Sequence, residues 1–220
     1  MATEHTEHTD NQTHESSSNR PADVSNKSTA NASNHSTADL PKGLILVNTG
    51  NGKGKTTAAL GTAMRAVGQG LRVLILQFIK GAMNYGELTC IEALNKAGLP
   101  IEIRQMGKGF VYHKQKSTPE EIKAHEEAAA EGWRMVEREV QSGNWDLIVL
   151  DEINYAIGFE LVDAEKVVQL LKDKPKDLHM ILTGRNARPE IIELAHTVTS
   201  MEPVKHAYEQ GIKAARGIEF

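Results

Sequence analysis

Large apolar side chains are scarce in residues 1–39 and become regular only from Gly43 onward. From that point short apolar runs alternate with stretches of helical period, the pattern of strands joined by crossover helices into a mostly parallel sheet. The predicted strands are 44–48 (LILVN), 72–78, 101–106, 146–151, 179–184 and 196–201. Several are apolar on both faces, as a sheet covered by helices requires. The clearest helix lies within 117–143. Ser117 or Thr118 can cap it, Pro119 suits its first turn, Glu120 or Glu121 can close a capping box, and Gly143 can end it. Ile122, Ala129, Trp133, Val136 and Val140 recur at helical spacing and form one buried stripe, which makes Trp133 a core residue rather than a ligand contact. The expected architecture is a doubly wound α/β domain over 40–220, with helices on both faces of the sheet. Residues 1–39 are expected to be a disordered polar tail, because they bury too little area to offset the entropy of ordering. The tail histidines His5, His8, His14 and His35 are irregularly spaced and read as solvated rather than as a metal tract.

Composition narrows the function classes. The chain has 220 residues, 40% of them hydrophobic, which suffices for one substantial core. A formal net charge of -4 gives no general attraction to nucleic acid, so an anion site has to be local. Cys90 is the single cysteine, which excludes an intramolecular disulfide and a multi-thiolate metal site within one chain and suits a reducing cytoplasm. No basic-then-apolar leader begins the chain and its longest apolar runs are too short to span a bilayer, so no membrane association is expected.

Candidate chemistry centres on NTGNGKGKTT, residues 48–57, between the first predicted strand and a helix. Strand, Gly-rich turn and helix make an anion cradle in which Lys55 reaches phosphate oxygens and the Thr56 hydroxyl can ligate magnesium. This marks the fold as P-loop NTPase-like rather than the loop as an ordinary flexible turn, with Thr49, Gly50, Asn51, Gly52, Lys53, Gly54, Lys55, Thr56 and Thr57 as the expected nucleotide-binding stretch. The usual G-x-x-x-x-G-K-[ST] pattern is altered: Thr49 occupies the first position and Gly50 lies one place later, while Lys53 adds a second ammonium group. Asp151 and Glu152 arrive at the carboxyl end of a buried strand, where their hard oxygens suit magnesium. Either could instead orient a water or cap the following helix, and the spacing does not divide their roles. Arg185, in TGR at 183–185, reaches the same edge, where a guanidinium could clamp phosphate or form a surface ion pair. Lys80 and Glu87 follow the second strand and face the same cleft. Phe110 and Tyr112, in GKGFVYH, share a face if extended, and fit either a cover for a flat apolar ligand or simple core anchoring.

Taken in order, TGNGKGKTTAA, QFIKG, GFVY, LDEINYA, TGRNARPEI and EPVKHAYEQGIKAARGIEF resemble the ATP:corrinoid adenosyltransferases of cobalamin synthesis and salvage, over residues 43–220. The resemblance implies a homodimer that uses ATP with Mg2+ and a reduced corrinoid, forms a cobalt–carbon bond and releases triphosphate, with a reduced flavoprotein as electron donor. It also implies a nucleotide held in the reverse sense, to which the Thr49–Gly50 variant belongs. Lys55, Lys53, Thr56 and Arg185 would then stabilise charge on the departing triphosphate. Phe110 and Tyr112 would pack against the lower corrin face and expel the axial donor, so Lys55, Phe110, Tyr112 and Arg185 are the expected catalytic residues. Lys80 and Glu87 become corrinoid contacts, and Thr56, Asp151 and Glu152 the metal set. Some relatives carry Trp where this chain has Tyr112. The amphipathic helix that relatives place before the first strand has no counterpart pattern in residues 1–39. The basic stretch with Lys205, His206, Lys213 and Arg216 matches the family and would also fit a solvated face. The rival readings are a conventional P-loop ATPase or kinase, and a corrinoid-binding protein gated by nucleotide.

Overall fold

The computed structural model of the chain describes residues 43–79, 85–106 and 118–219. The tail 1–39, Lys80, Phe110 and Tyr112 lie outside the described residues.

Six strands form one sheet: β1 Ile45–Thr49, β2 Val73–Gln77, β3 Ile101–Gln105, β4 Leu147–Asp151, β5 His179–Thr183 and β6 Thr197–Ser200. Their spatial order is β3-β2-β4-β5-β1-β6, and every neighbouring pair is parallel. Each predicted strand is present. The helices are α1 Lys55–Gly68, α2 Gly86–Lys96, α3 Pro119–Gln141, α4 Ile153–Gly158, α5 Ala164–Asp173 and α6 Pro189–Leu194, followed by a 3-10 turn at Ala207–Gln210.

Alternation along the strands divides the core between the two faces. Val73 and Ile75 of β2 pack with Ala59, Ala63 and Val67 of α1 and Ile91 of α2. Leu74 and Leu76 pack on the other side, with Trp133, Val136 and Val140 of α3 and Val167, Leu170 and Leu171 of α5. The sheet is thus covered on both faces, which is why its central strands are continuously apolar. Helix α3 begins with the expected capping box: the Thr118 hydroxyl accepts from the Glu121 N–H at 3.2 Å, and the Thr118 N–H donates to Glu121 Oε2 at 2.8 Å. Trp133 is 5% exposed and belongs to the core.

Because all strands run the same way, their carboxyl ends share one edge. Register sets Gln77 opposite Asp151, Asn48 opposite Thr183 and Thr49 opposite Ser200. Polar residues from five separate strands therefore meet at one edge of an apolar sheet.

Candidate nucleotide and metal site

The altered loop is shaped by what lies beside it. Gly50 takes a φ of 90°, and a Cβ there would stand 2.5 Å from the Met201 carbonyl oxygen. Only glycine tolerates both conditions. The Gly52 N–H donates to the same carbonyl, and the Met201 N–H donates to the Thr49 carbonyl at 2.9 Å. The Thr49 hydroxyl, almost buried, accepts from the Ala187 N–H at 3.2 Å. Threonine at the usual glycine position thus fastens the loop to the segment that carries Arg185, and the displaced glycine lets the loop run against the exit of β6.

Lys55 begins α1, whose first turn has neither a side-chain cap nor an acidic residue, so the helix presents its partial positive charge to the loop. Its ammonium donates to the carbonyls of Gly50 at 2.9 Å and Gly52 at 2.7 Å. Burial holds the Lys55 pKa below the ordinary lysine value; the Arg185 guanidinium pushes the same way and the Glu152 carboxylate opposes them. A bound anion here would offset both the burial and the repulsion.

Asp151 is 1% exposed, and its Oδ1 accepts from the hydroxyls of Thr56 at 2.9 Å and Thr183 at 2.7 Å. Its Oδ2 accepts from Gln77 Nε2 at 3.1 Å. The Thr183 hydroxyl oxygen also accepts from the Glu152 N–H at 2.9 Å. Glu152 itself is left-handed, with φ 61°, an uncommon conformation for a side chain without special local hydrogen bonding. That turn brings Glu152 to the cavity wall, whereas Asp151 stays behind Thr56. Among the described residues no three His, Cys, Asp or Glu side chains gather into a metal cage. A hydroxyl and two carboxylates on one edge nevertheless suit magnesium, which keeps several waters and takes the rest of its oxygens from phosphate.

The loop opens into a cavity of about 660 Å³. Lys53, Lys55 and Arg185 line one part of it, and Leu60, Ile79, Tyr155 and Phe159 supply apolar surface. The ring of Tyr155 on α4 and that of Phe159, just past the helix end, lie 5.6 Å centre to centre. Arg185 donates to the Tyr155 hydroxyl at 3.2 Å and, more distantly, to the Asn51 carbonyl at 3.4 Å. Lys53 contacts the Ile218 carbonyl at 3.2 Å and the Glu219 carboxylate. Glu87 also lines the cavity.

Of the residues anticipated from sequence, the structure brings together the 49–57 loop, Glu87, Asp151, Glu152 and Arg185 around this one site. Lys80, Phe110 and Tyr112 lie outside the described residues. Sequence reasoning did not single out Gln77, Thr183, Tyr155, Phe159 or Glu219. The four-residue spacing of Tyr155 and Phe159 was a signal that could have found two of them.

Residues 41–220 match the protein family described as ATP:corrinoid adenosyltransferase BtuR/CobO/CobP. The chain is 40% identical to the corrinoid adenosyltransferase of Escherichia coli (strain K12) over 179 residues, covering 81% of this chain and 86% of that relative. It is 41% identical to the corrinoid adenosyltransferase of Sinorhizobium sp. over 181 residues, covering 81% of each. It is 38% identical to corrinoid adenosyltransferase CobA of Salmonella typhimurium (strain LT2) over 179 residues, covering 81% of this chain and 86% of that relative. A P-loop-like parallel sheet, a loop built to hold an anion and these matches over most of the chain lead to one conclusion: the chain belongs to the ATP:corrinoid adenosyltransferase family.

Proposed function

We propose that this chain transfers the 5′-deoxyadenosyl group of ATP to the Co(I) centre of a reduced corrinoid, cob(I)yrinic acid a,c-diamide or cob(I)alamin, and releases inorganic triphosphate. Co(I) supplies an electron pair to the 5′ carbon, the carbon–oxygen bond breaks, and its electrons leave on the triphosphate. The nucleophile carries no proton, so the protein's tasks are alignment and stabilisation of the leaving group. The observation that carries the reading is the placement of three cations, Lys53, Lys55 and Arg185, around one cavity that also holds Thr56 and Glu152. Such a set grips a whole polyphosphate rather than a single terminal phosphoryl group.

Thr56 and Glu152 would hold Mg2+, with Asp151 orienting the Thr56 hydroxyl from behind. The ion would neutralise charge on the phosphate oxygens. Lys55 fixes the middle of the loop, and Arg185 is steadied by the Tyr155 hydroxyl. Phe110 and Tyr112 would pack against the lower corrin face, with Lys80 and Glu87 as further corrinoid contacts; family membership supports this reading. The same membership supports a homodimer supplied with electrons by a reduced flavoprotein, in a reducing cytoplasm. Exposed Val198, Val204, Tyr208 and Ile212 offer apolar surface suited to a second subunit.

The test is anaerobic incubation with ATP, Mg2+ and chemically reduced corrinoid, following the visible spectrum together with the phosphate product. The expected outcome is an alkylcobalt spectrum with equimolar triphosphate. Release of ADP and phosphate independent of corrinoid would establish an ATPase instead. A spectral change on binding, without a cobalt–carbon bond, would establish a nucleotide-gated binder.

A further inference from the structure

Lys53 forms an ion pair with a carboxylate from a distant part of the chain. Its ammonium contacts the Glu219 carboxylate and the Ile218 carbonyl, and both residues line the same cavity as the phosphate loop. The turn that presents them is closed by its own hydrogen bonds, from the N–H groups of Ile218 and Glu219 to the Ala215 carbonyl at 3.1 and 2.8 Å. Gly217 supplies the left-handed residue within it, at φ 79°. Glu219 can therefore release Lys53 without the turn coming apart.

We infer that Glu219 is an internal competitor for Lys53: its carboxylate occupies the ammonium that a bound triphosphate needs, and the anion must displace it to engage the whole loop. This rests on the reading that the loop holds the triphosphate of ATP. The physical argument is one of charge. An ammonium has three N–H donors, and here the 218–219 turn supplies two acceptors for them, the Ile218 carbonyl and the Glu219 carboxylate. A carboxylate on the cavity wall also repels an incoming polyanion. Removing its charge while keeping its shape should lift both effects. The pair is partly exposed, with side-chain exposures of 42% and 27%, so solvent tempers the gain. Glu219 thereby acts through Lys53 as a positioning residue. It sets how tightly triphosphate is held, both as part of ATP and as the product that has to leave.

The experiment is calorimetric titration of the full chain with inorganic triphosphate and Mg2+, which needs no corrinoid. Glu219→Gln should bind triphosphate tighter by roughly two- to fivefold, the range measured for a single exposed ion pair. Glu219→Asp should return the affinity toward that of the unaltered chain. In a Lys53→Gln background the gain from Glu219→Gln should shrink to the part owed to direct repulsion, a coupling between the two positions that a purely structural role for the turn would not produce. Unchanged or weaker binding by Glu219→Gln, or a gain that persists undiminished without Lys53, overturns the inference. Failure of the unaltered chain to bind triphosphate at all would overturn the reading of the loop, and the inference with it. Tight binding without subsequent adenosylation would count against the transfer reaction alone and leave the competition standing.

Discussion

At the scale of single residues, the site combines a few side chains held far from their relaxed preferences. Lys55 is charged yet 7% exposed, and two loop carbonyls take the place of water around it. Lys55→Ala removes the central cation and is expected to abolish ATP-dependent adenosylation in a spectrophotometric assay; rates like those of the unaltered chain would contradict the phosphate role. Thr183 is wholly buried and serves both acids, donating to Asp151 and accepting from the Glu152 N–H. Thr183→Val deprives both partners within the protein interior, so denaturant unfolding should show a loss of about 1–3 kcal/mol. Stability within a few tenths of the original would show that Thr183 does not hold the two acids. Phe110→Ala should slow the reaction that starts from cobalt(II) more than the one that starts from prereduced Co(I). Equal losses in the two assays would count against displacement of the axial donor. Asp151, Glu152 and Lys55 were legible in the sequence because strand-end acids and a Gly-Lys-Thr loop are local patterns. Thr183 and Gln77 were not, because their roles come from strand pairing, which joins Gln77 to Asp151 across 74 positions of chain.

At the scale of elements, the start of β1 is fastened by two imidazoles. His179 Nδ1 accepts from the Leu44 N–H at 3.1 Å, and His196 Nδ1 accepts from the Ile45 N–H at 2.9 Å. β1 feeds the phosphate loop, so its seat between β5 and β6 sets where that loop stands. An Nδ1 that accepts a hydrogen bond carries no proton, and burial lowers the His179 pKa, helped by the Lys174 ammonium and opposed by the Asp146 carboxylate. The sign follows directly. The unfolded chain takes up the His179 proton at a higher pH than the folded one, so this contribution is fully present above about pH 6.5. It is lost as pH falls from there through the lower folded value. Urea midpoints measured from pH 8 down to 5.5 should therefore fall, and His179→Gln, whose amide oxygen still accepts a hydrogen bond, should flatten the decline. An equal decline in the variant would assign the pH dependence to other groups. The strands themselves were readable because both-face burial leaves continuous apolar runs such as VLIL in β2. Helix α3 was readable from its capping pattern, and Ser142 and the left-handed Gly143 end it where expected. The spatial order of the strands was not readable, since an apolar run does not say which other run lies beside it.

At the scale of the whole molecule, six parallel strands collect on one edge the residues proposed to hold a polyphosphate, and the chain returns after β6 to line that cavity with Ile218 and Glu219. The closure joins Lys53 to a carbonyl 165 positions away, a relation that neither periodicity nor a short motif contains. The altered loop likewise becomes intelligible only with β6 in place, because the Met201 carbonyl occupies the space a side chain at position 50 would need. Among the described residues no helix is long and apolar enough to cross a membrane. The central claim is that the loop holds triphosphate as a leaving group, so that the bond broken lies between carbon and oxygen rather than between phosphorus and oxygen. ATP carrying heavy oxygen in the bridge between the 5′ carbon and the α-phosphorus tests this in one reaction with Co(I) corrinoid. Mass spectrometry should find all of the label in inorganic triphosphate and none in the adenosyl product. Label retained on the adenosine fragment, or released phosphate with the adenosine-to-phosphate bridge intact, would contradict the claim.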